Sequence, residues 1–191
     1  MRSPVADLLA DLALALDEAS VAWYLFGAQA AILHGAARLT ADVDVTVRLP
    51  EAMSQETLAA RIEQHGFRRR TVDPAFVERT RVIPFVHAPT NLPLDVVIAA
   101  PGIEDLFFDR AQVREIDGVR ARVASPEDIA VMKVLAGRGK DLDDVTSILA
   151  AYGNVLDVGY VRKTLTLLEQ ALGQSDLLPT FEQLLARTRS G

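Results

Sequence analysis

Asp42 and Asp44 stand one residue apart in the run "ADVDVTV", and Asp95 heads a second apolar run, "LPLDVVIAA". Successive side chains of a strand point to opposite faces, so Asp42, Asp44 and Thr46 share one face and Val43, Val45 and Val47 the other. The valines belong in a core. The two carboxylates then point together at a surface or cleft, roughly 6–7 Å apart along the strand. Ionised carboxylates at that range repel, and one tends to keep its proton. A divalent cation reverses the sign of the interaction. Magnesium takes a few carboxylates together with waters and phosphate oxygens. The plainer alternative is the outer face of an edge strand, with both aspartates free in water.

Two further features bear on the choice. Leu94, Val96, Val97, Ile98 and Ala99 form a nearly continuous apolar stretch around Asp95. A carboxylate there is costly unless it is paired, metal-bound or at the rim. Gly27 follows a short β-rich run, "VAWYLF", and opens a helix just before the aspartate pair. Free N–H groups at a helix start favour phosphate, and glycine allows the backbone to come close. Together these residues describe a site for metal and triphosphate, with three carboxylates on neighbouring strands beside a phosphate cradle.

The elements that must position them are legible in outline. Ser3-Pro4 is a cap and first-turn proline ahead of a helix running to about Glu18. "VAWYLF" (21–26) reads as a strand, "AQAAILHGAA" as a helix and "DVDVTV" as a strand. "SQETLAARIEQHG" (54–66) is an amphipathic helix, and "FRRRTV" a strand or basic loop. "RVIPFVHA" and "PLDVVIAA" are β-rich, and Pro84 inside the first predicts an edge strand or a bulge. "IEDLFFDRA" predicts a short helix. Asp117-Gly118 between alternating flanks predicts a two-residue hairpin. From Ser125 the pattern is helical throughout: "SPEDIAVMKVLAG", "KDLDDVTSILAAYG", "GYVRKTLTLLEQALG" and "LPTFEQLLARTRS". The expected fold is α/β (α+β): a small mixed sheet flanked by helices over 1–123, then a helical region over 125–191 packed on it.

Composition narrows the function. Half of the 191 residues are hydrophobic, enough for a real core, and 24% are charged. The net charge of -6 argues against a broad, sequence-independent grip on nucleic acid. There are no cysteines, which excludes disulfides, thiolate zinc sites and a cysteine nucleophile. Three scattered histidines, His34, His65 and His87, suggest no metal cluster. Acids at Asp7, Asp11, Asp17 and Glu18 are wrong for a signal peptide, and no run reaches a membrane span, so the expected location is the cytoplasm.

The ordered set "FGAQAAILHGAARLTADVDVTV", "LPLDVVIAAPG" and "ASPEDIAVMKVLAGRGKDLDDVTSIL" resembles the nucleotidyltransferase domains of the DNA polymerase beta superfamily. Within it, the set resembles the AbiEii-like group, toxins of type IV toxin–antitoxin systems. The resemblance spans roughly residues 21 to 150. It implies a nucleotidyltransferase fold and transfer of a nucleoside monophosphate from a nucleoside triphosphate, such as ATP, to a hydroxyl. The acceptor would be RNA, with tRNA the attractive case, a protein side chain or a small molecule. The alternatives are an antibiotic-modifying nucleotidyltransferase and a non-catalytic binding module. Asp42, Asp44 and Asp95 would hold Mg²⁺ or Mn²⁺, with Asp95 also the base. Gly27 and Ala28 would lie against the phosphates, and Arg38 and Thr40 would line the approach. Lys133 would point at the triphosphate. Lys140, Asp141 and Asp144 match a following motif, for substrate contact or helix anchoring. A cognate antitoxin is an implied partner. Where many superfamily members carry Gly-Ser at the cradle, this chain has Gly27-Ala28, one hydroxyl fewer.

Plainer roles stand beside these. Lys133 on an apolar stripe would snorkel to water. Lys140, Asp141, Asp143 and Asp144 would be a cap and charged helix start. Arg68, Arg69 and Arg70 form a solvated basic run, or a track for an RNA acceptor or an acidic partner. His34 would be a surface or core helix residue, and Trp23 and Tyr24 core and rim.

Overall fold

The structure, a computed structural model, describes residues 2–71, 73–100 and 102–189, with Pro74 described by its backbone alone. The chain forms two compact units. One is built from the residues up to Gln29 and from Thr40 to Ala124; the other from Ala30 to Leu39 and from Ser125 onward.

The first unit is organised by a sheet that has seven strands among the described residues: β1 (Ala22–Phe26), β2 (Val43–Arg48), β3 (Phe67–Arg69), β4 (Val82–His87), β5 (Leu92–Ile98), β6 (Gln112–Ile116) and β7 (Val119–Val123). Their order is β3-β4-β5-β2-β1-β7-β6, parallel at β2/β5 and β1/β7 and antiparallel elsewhere. The predicted alternation of "DVDVTV" holds in its consequence. Val43, Val45 and Val47 are fully buried, and with Leu94 and Val96 they make the apolar face. Helix α1 (Pro4–Glu18) packs with α3 (Gln55–Glu63), β1, β5 and β7. Its Leu8, Leu9, Leu12 and Leu16 are fully buried, as are Leu58 and Ile62 of α3. α1 starts where Ser3 Oγ accepts from the Ala6 N–H, with Pro4 at the first helical position.

Helix α4 (Pro74–Thr80) lies before β4, and α5 (Ile103–Arg110) after β5. α5 packs on β1. Its Phe108 meets Tyr24 edge-on at 4.8 Å between ring centroids, and Arg48 lies over the Phe108 ring. The Asp117-Gly118 hairpin forms as predicted, both residues at positive φ, the backbone of the preferred two-residue turn.

Two expectations are corrected. Pro84 does not mark an edge strand: β4 lies between β3 and β5. The Pro84 carbonyl accepts from the Arg70 N–H at 2.9 Å, so its missing N–H faces the side where the three-residue β3 has just ended. The proline therefore forgoes only the reciprocal bond to the Arg70 carbonyl, at the very end of that ladder. The helix opened by Gly27, α2 (Gly27–Leu33), is shorter than "AQAAILHGAA" predicts. It stops at Gly35, which has φ +102, and a Cβ there would lie 2.8 Å from Ala151 Cβ.

In the second unit α6 (Pro126–Ala136) contacts α7 (Gly139–Tyr152), α8 (Val158–Leu172) and α9 (Leu177–Arg189), and α9 contacts α7 and α8. Ser125 caps α6 through the Asp128 N–H, and Gly137, with φ +65, ends it. The segment 30–39 belongs here for visible reasons. His34 Nδ1 is bonded to Tyr152 Oη at 2.6 Å, Gly35 lies against Ala151, and Arg38 pairs with Asp144 at 3.0 Å.

Candidate active site

Strand register brings the acids together. Across the parallel pair β2/β5, Asp44 is opposite Asp95; across β4/β5, Asp95 is opposite Pro84; across β1/β2, Asp44 is opposite Phe26. Register partners share a face, so Asp44 and Asp95 are neighbours on the side away from the valine core, one strand spacing of about 4.8 Å apart at the backbone. Asp42 immediately precedes β2, and Thr40 Oγ1 accepts its N–H at 3.2 Å. The Thr40 carbonyl in turn accepts from Gln29 Nε2 at 3.1 Å, which ties this approach to α2. The face is closed two residues further along β2, where Thr46 is buried beside Tyr24.

Gly27 has a specific reason to be glycine. Its φ is +68, and a Cβ placed on it would lie 2.1 Å from Asp44 Oδ2. The room left by the absent side chain is taken by the Asp44 carboxylate itself. Ala28 follows as a buried residue of α2.

Asp95 carries the electrostatic signature of the site. Burial pushes its carboxyl above the ordinary carboxylate value, Arg70 opposes that shift, and the charge of Asp42 adds to it. Asp42 is therefore close enough for its charge to be felt at Asp95. The guanidinium of Arg70 bonds Asp95 Oδ1. Arg70 is the residue that sequence reading did not place at the site; it belonged to a basic run assigned to solvent or an RNA track. Arg69 from the same run is bonded to Glu56 at 2.8 Å and Glu63 at 3.1 Å. The signal for Arg70 was its spacing: three residues past the buried Phe67, an odd offset that puts it on the face opposite the core.

Among the described residues, no three acidic, histidine or cysteine side chains are already gathered into a metal cage. Arg70 draws Asp95, and Asp44 is turned against Gly27. The donor set nonetheless fits a hard cation: three carboxylates, all oxygen, two of them in register on adjacent strands.

The remaining predicted residues lie in the second unit, around a buried charge network. Lys133, 6% exposed, donates to Asp141 Oδ1 at 2.8 Å and Asp144 Oδ2 at 2.6 Å. Asp141 is also bonded by Arg138, and Asp144 by Arg38. Burial would raise the Asp141 carboxyl, but the hydrogen bonds from Arg138 and Lys133 hold it below the ordinary value. Lys133 thus neither snorkels to water nor has its ammonium free of protein partners. Lys140 is exposed at the start of α7, as is Asp143.

A mixed sheet with two register-matched aspartates, an acid just ahead of them and a glycine-led helix beside them defines a nucleotidyltransferase fold. The chain belongs to the family described as "Nucleotidyltransferase of unknown function (DUF6036)", whose model matches residues 6–176. No curated relative matches the sequence. Among solved structures, the antibiotic-resistance factor ANT(2'')-Ia has a TM-score of 0.61 at 18% identity, over 91% of this chain and 97% of that one. An antigenic nucleotidyltransferase-like protein from Paracoccidioides brasiliensis has a TM-score of 0.59 at 16% identity, over 95% and 94%. The lincosamide antibiotic adenylyltransferase LnuA has a TM-score of 0.50 at 13% identity, over 74% and 94%. At these identities the likeness is one of fold. No helix among the described residues is long and apolar enough to cross a membrane.

Proposed function

We propose that this chain is a Mg²⁺-dependent nucleotidyltransferase that moves a nucleoside monophosphate from a triphosphate, ATP first among them, to a hydroxyl of a small polar acceptor. The observation that carries this reading is the register of Asp44 against Asp95, with Asp42 near enough to raise the Asp95 carboxyl. In the reaction the acceptor oxygen bonds to the α-phosphorus, the bond from that phosphorus to the departing pyrophosphate breaks, and the hydroxyl proton passes to a base. Asp95 is the acid best suited to take it, because a carboxyl held above its ordinary value is a stronger base than a surface aspartate. Asp42, Asp44 and Asp95 would hold the cation, which when bound neutralises charge on the phosphates. Thr40 fixes the backbone of Asp42, and Gly27 gives Asp44 its place.

A small acceptor is supported by three facts. The net charge is -6. Arg69 and Arg70 are engaged with acids rather than arrayed as a track. One structure of like fold is described as an antibiotic-resistance factor and another as a lincosamide antibiotic adenylyltransferase. The test is incubation with Mg²⁺ and each α-labelled triphosphate, against a panel of hydroxylated antibiotics and against total cell RNA and protein. Label on a small molecule, lost in Asp44→Asn, is the expected outcome. Label on tRNA would instead move the acceptor to nucleic acid and favour the AbiEii-like toxin with a cognate antitoxin. Absence of pyrophosphate release with every triphosphate, in folded protein, would leave only a binding module.

A further inference from the structure

We propose that Arg70 is a positioning residue that competes with the divalent cation for Asp95, so that the charge of its guanidinium sets the metal affinity of the site. The inference rests on the metal reading above. Arg70, Pro84, Asp95 and Asp44 lie in one transverse row across β4, β5 and β2, because each is the register partner or hydrogen-bonded neighbour of the next. Arg70 follows the last residue of β3 and is tied there by its N–H to the Pro84 carbonyl at 2.9 Å. Its side chain crosses over β4, two strand spacings or about 10 Å, to reach the Asp95 carboxylate. The compact ring of Pro84 is what it passes over.

The consequence is a choice between two positive charges. While the guanidinium holds Asp95 Oδ1, that oxygen is not available to a metal, and the three acids have an internal counter-ion. A cation at Asp42, Asp44 and Asp95 must take over that charge. Arg70 has somewhere to go: it is 43% exposed, and it lines a groove of about 420 Å³ with Gln55, Thr71 and Glu78. Glu78 offers the displaced guanidinium another carboxylate on that side.

The experiment is Mn²⁺ titration of the full chain, read from the electron paramagnetic resonance signal of free Mn²⁺, with no nucleotide and at low ionic strength. Asp44→Asn and Asp95→Asn measure whether these carboxylates hold the ion. Arg70→Gln removes the competing charge, and Arg70→Lys keeps a cation. The expected result is weaker binding in the two aspartate variants and binding about two- to fivefold tighter in Arg70→Gln, as for release of one part-exposed ion pair. Arg70→Lys should lie near wild type. Circular dichroism confirms the fold of each variant, and Arg70→Met, which keeps the aliphatic stem, repeats the measurement should Arg70→Gln unfold. Unchanged or weaker Mn²⁺ binding in folded Arg70→Gln or Arg70→Met, with the aspartate variants impaired, overturns the role of Arg70 alone. Wild-type affinity in Asp44→Asn and Asp95→Asn overturns the metal reading itself.

Discussion

Two acidic clusters, one in each unit, use the same residue types to opposite ends. In the sheet, Asp44 and Asp95 stand in register behind Asp42, Arg70 bonds Asp95, and Asp95 remains part-exposed. In the helical unit, Asp141 and Asp144 are shared among Lys133, Arg38 and Arg138, and both aspartates are at most 3% exposed. In the first, burial outweighs Arg70 at Asp95 and leaves its carboxyl above the ordinary value. The second has each acid bonded by two cations. Burial of charge is tolerated only when it is paired and hydrogen-bonded, so the helical cluster can sit in a core. The sheet cluster stays at an open face, where a further cation can come and go. Electrostatic completeness, rather than the count of acids, separates a staple from a site.

The contrast can be broken by experiment. Asp44→Asn should reduce nucleotidyl transfer by at least about a hundredfold, with little change in urea unfolding, because its side chain is only half-buried and asparagine keeps its shape. Lys133→Met should do the reverse in kind. It leaves Asp141 and Asp144 buried without their shared cation, at a cost of about 3–5 kcal/mol in urea unfolding. If Lys133→Met kept full stability but lost nucleotide binding, the helical cluster would be part of the site after all. Gly27→Ala probes the seam of the sheet site. The left-handed backbone alone costs about 1–2 kcal/mol, and the added methyl meets Asp44 Oδ2, so transfer should fall further than stability.

Acidity sharpens the same comparison with smaller effects. Asp95 must be ionised to act as base, and its carboxyl lies above the ordinary 3.8. In the metal-free protein the Asp95 carboxyl should therefore titrate above the ordinary aspartate range by NMR, and Arg70→Gln should push it higher still. Asp141 has the opposite sign. Its carboxyl is held below 3.8, so the unfolded chain takes up the proton first as pH falls. The stability it provides is complete above the ordinary value and is withdrawn as pH drops through the lowered one. Asp141→Asn should flatten the acid side of a stability–pH curve. The smallest effect is expected at the exposed pair Arg162–Glu182 between α8 and α9, where Arg162→Ala should leave the thermal midpoint within error and transfer unchanged.

Sequence alone determined what rests on neighbours in the chain. Alternation fixed the faces of "DVDVTV"; caps at Ser3 and Ser125 fixed helix starts; Asp117-Gly118 fixed a hairpin. Each depends on a few consecutive backbone angles, and the same three aspartates were legible because their types are costly in strands unless they do something. Tertiary structure alone decided the register that sets Asp44 against Asp95, since a strand's side-chain pattern does not name its partner. It decided that Arg70 crosses β4 to Asp95, and that Lys133 is enclosed by Asp141 and Asp144. It also assigned 30–39 to the helical unit through His34, Gly35 and Arg38. These are encounters between residues far apart in sequence, and their energies depend on burial and distance, which no local pattern encodes.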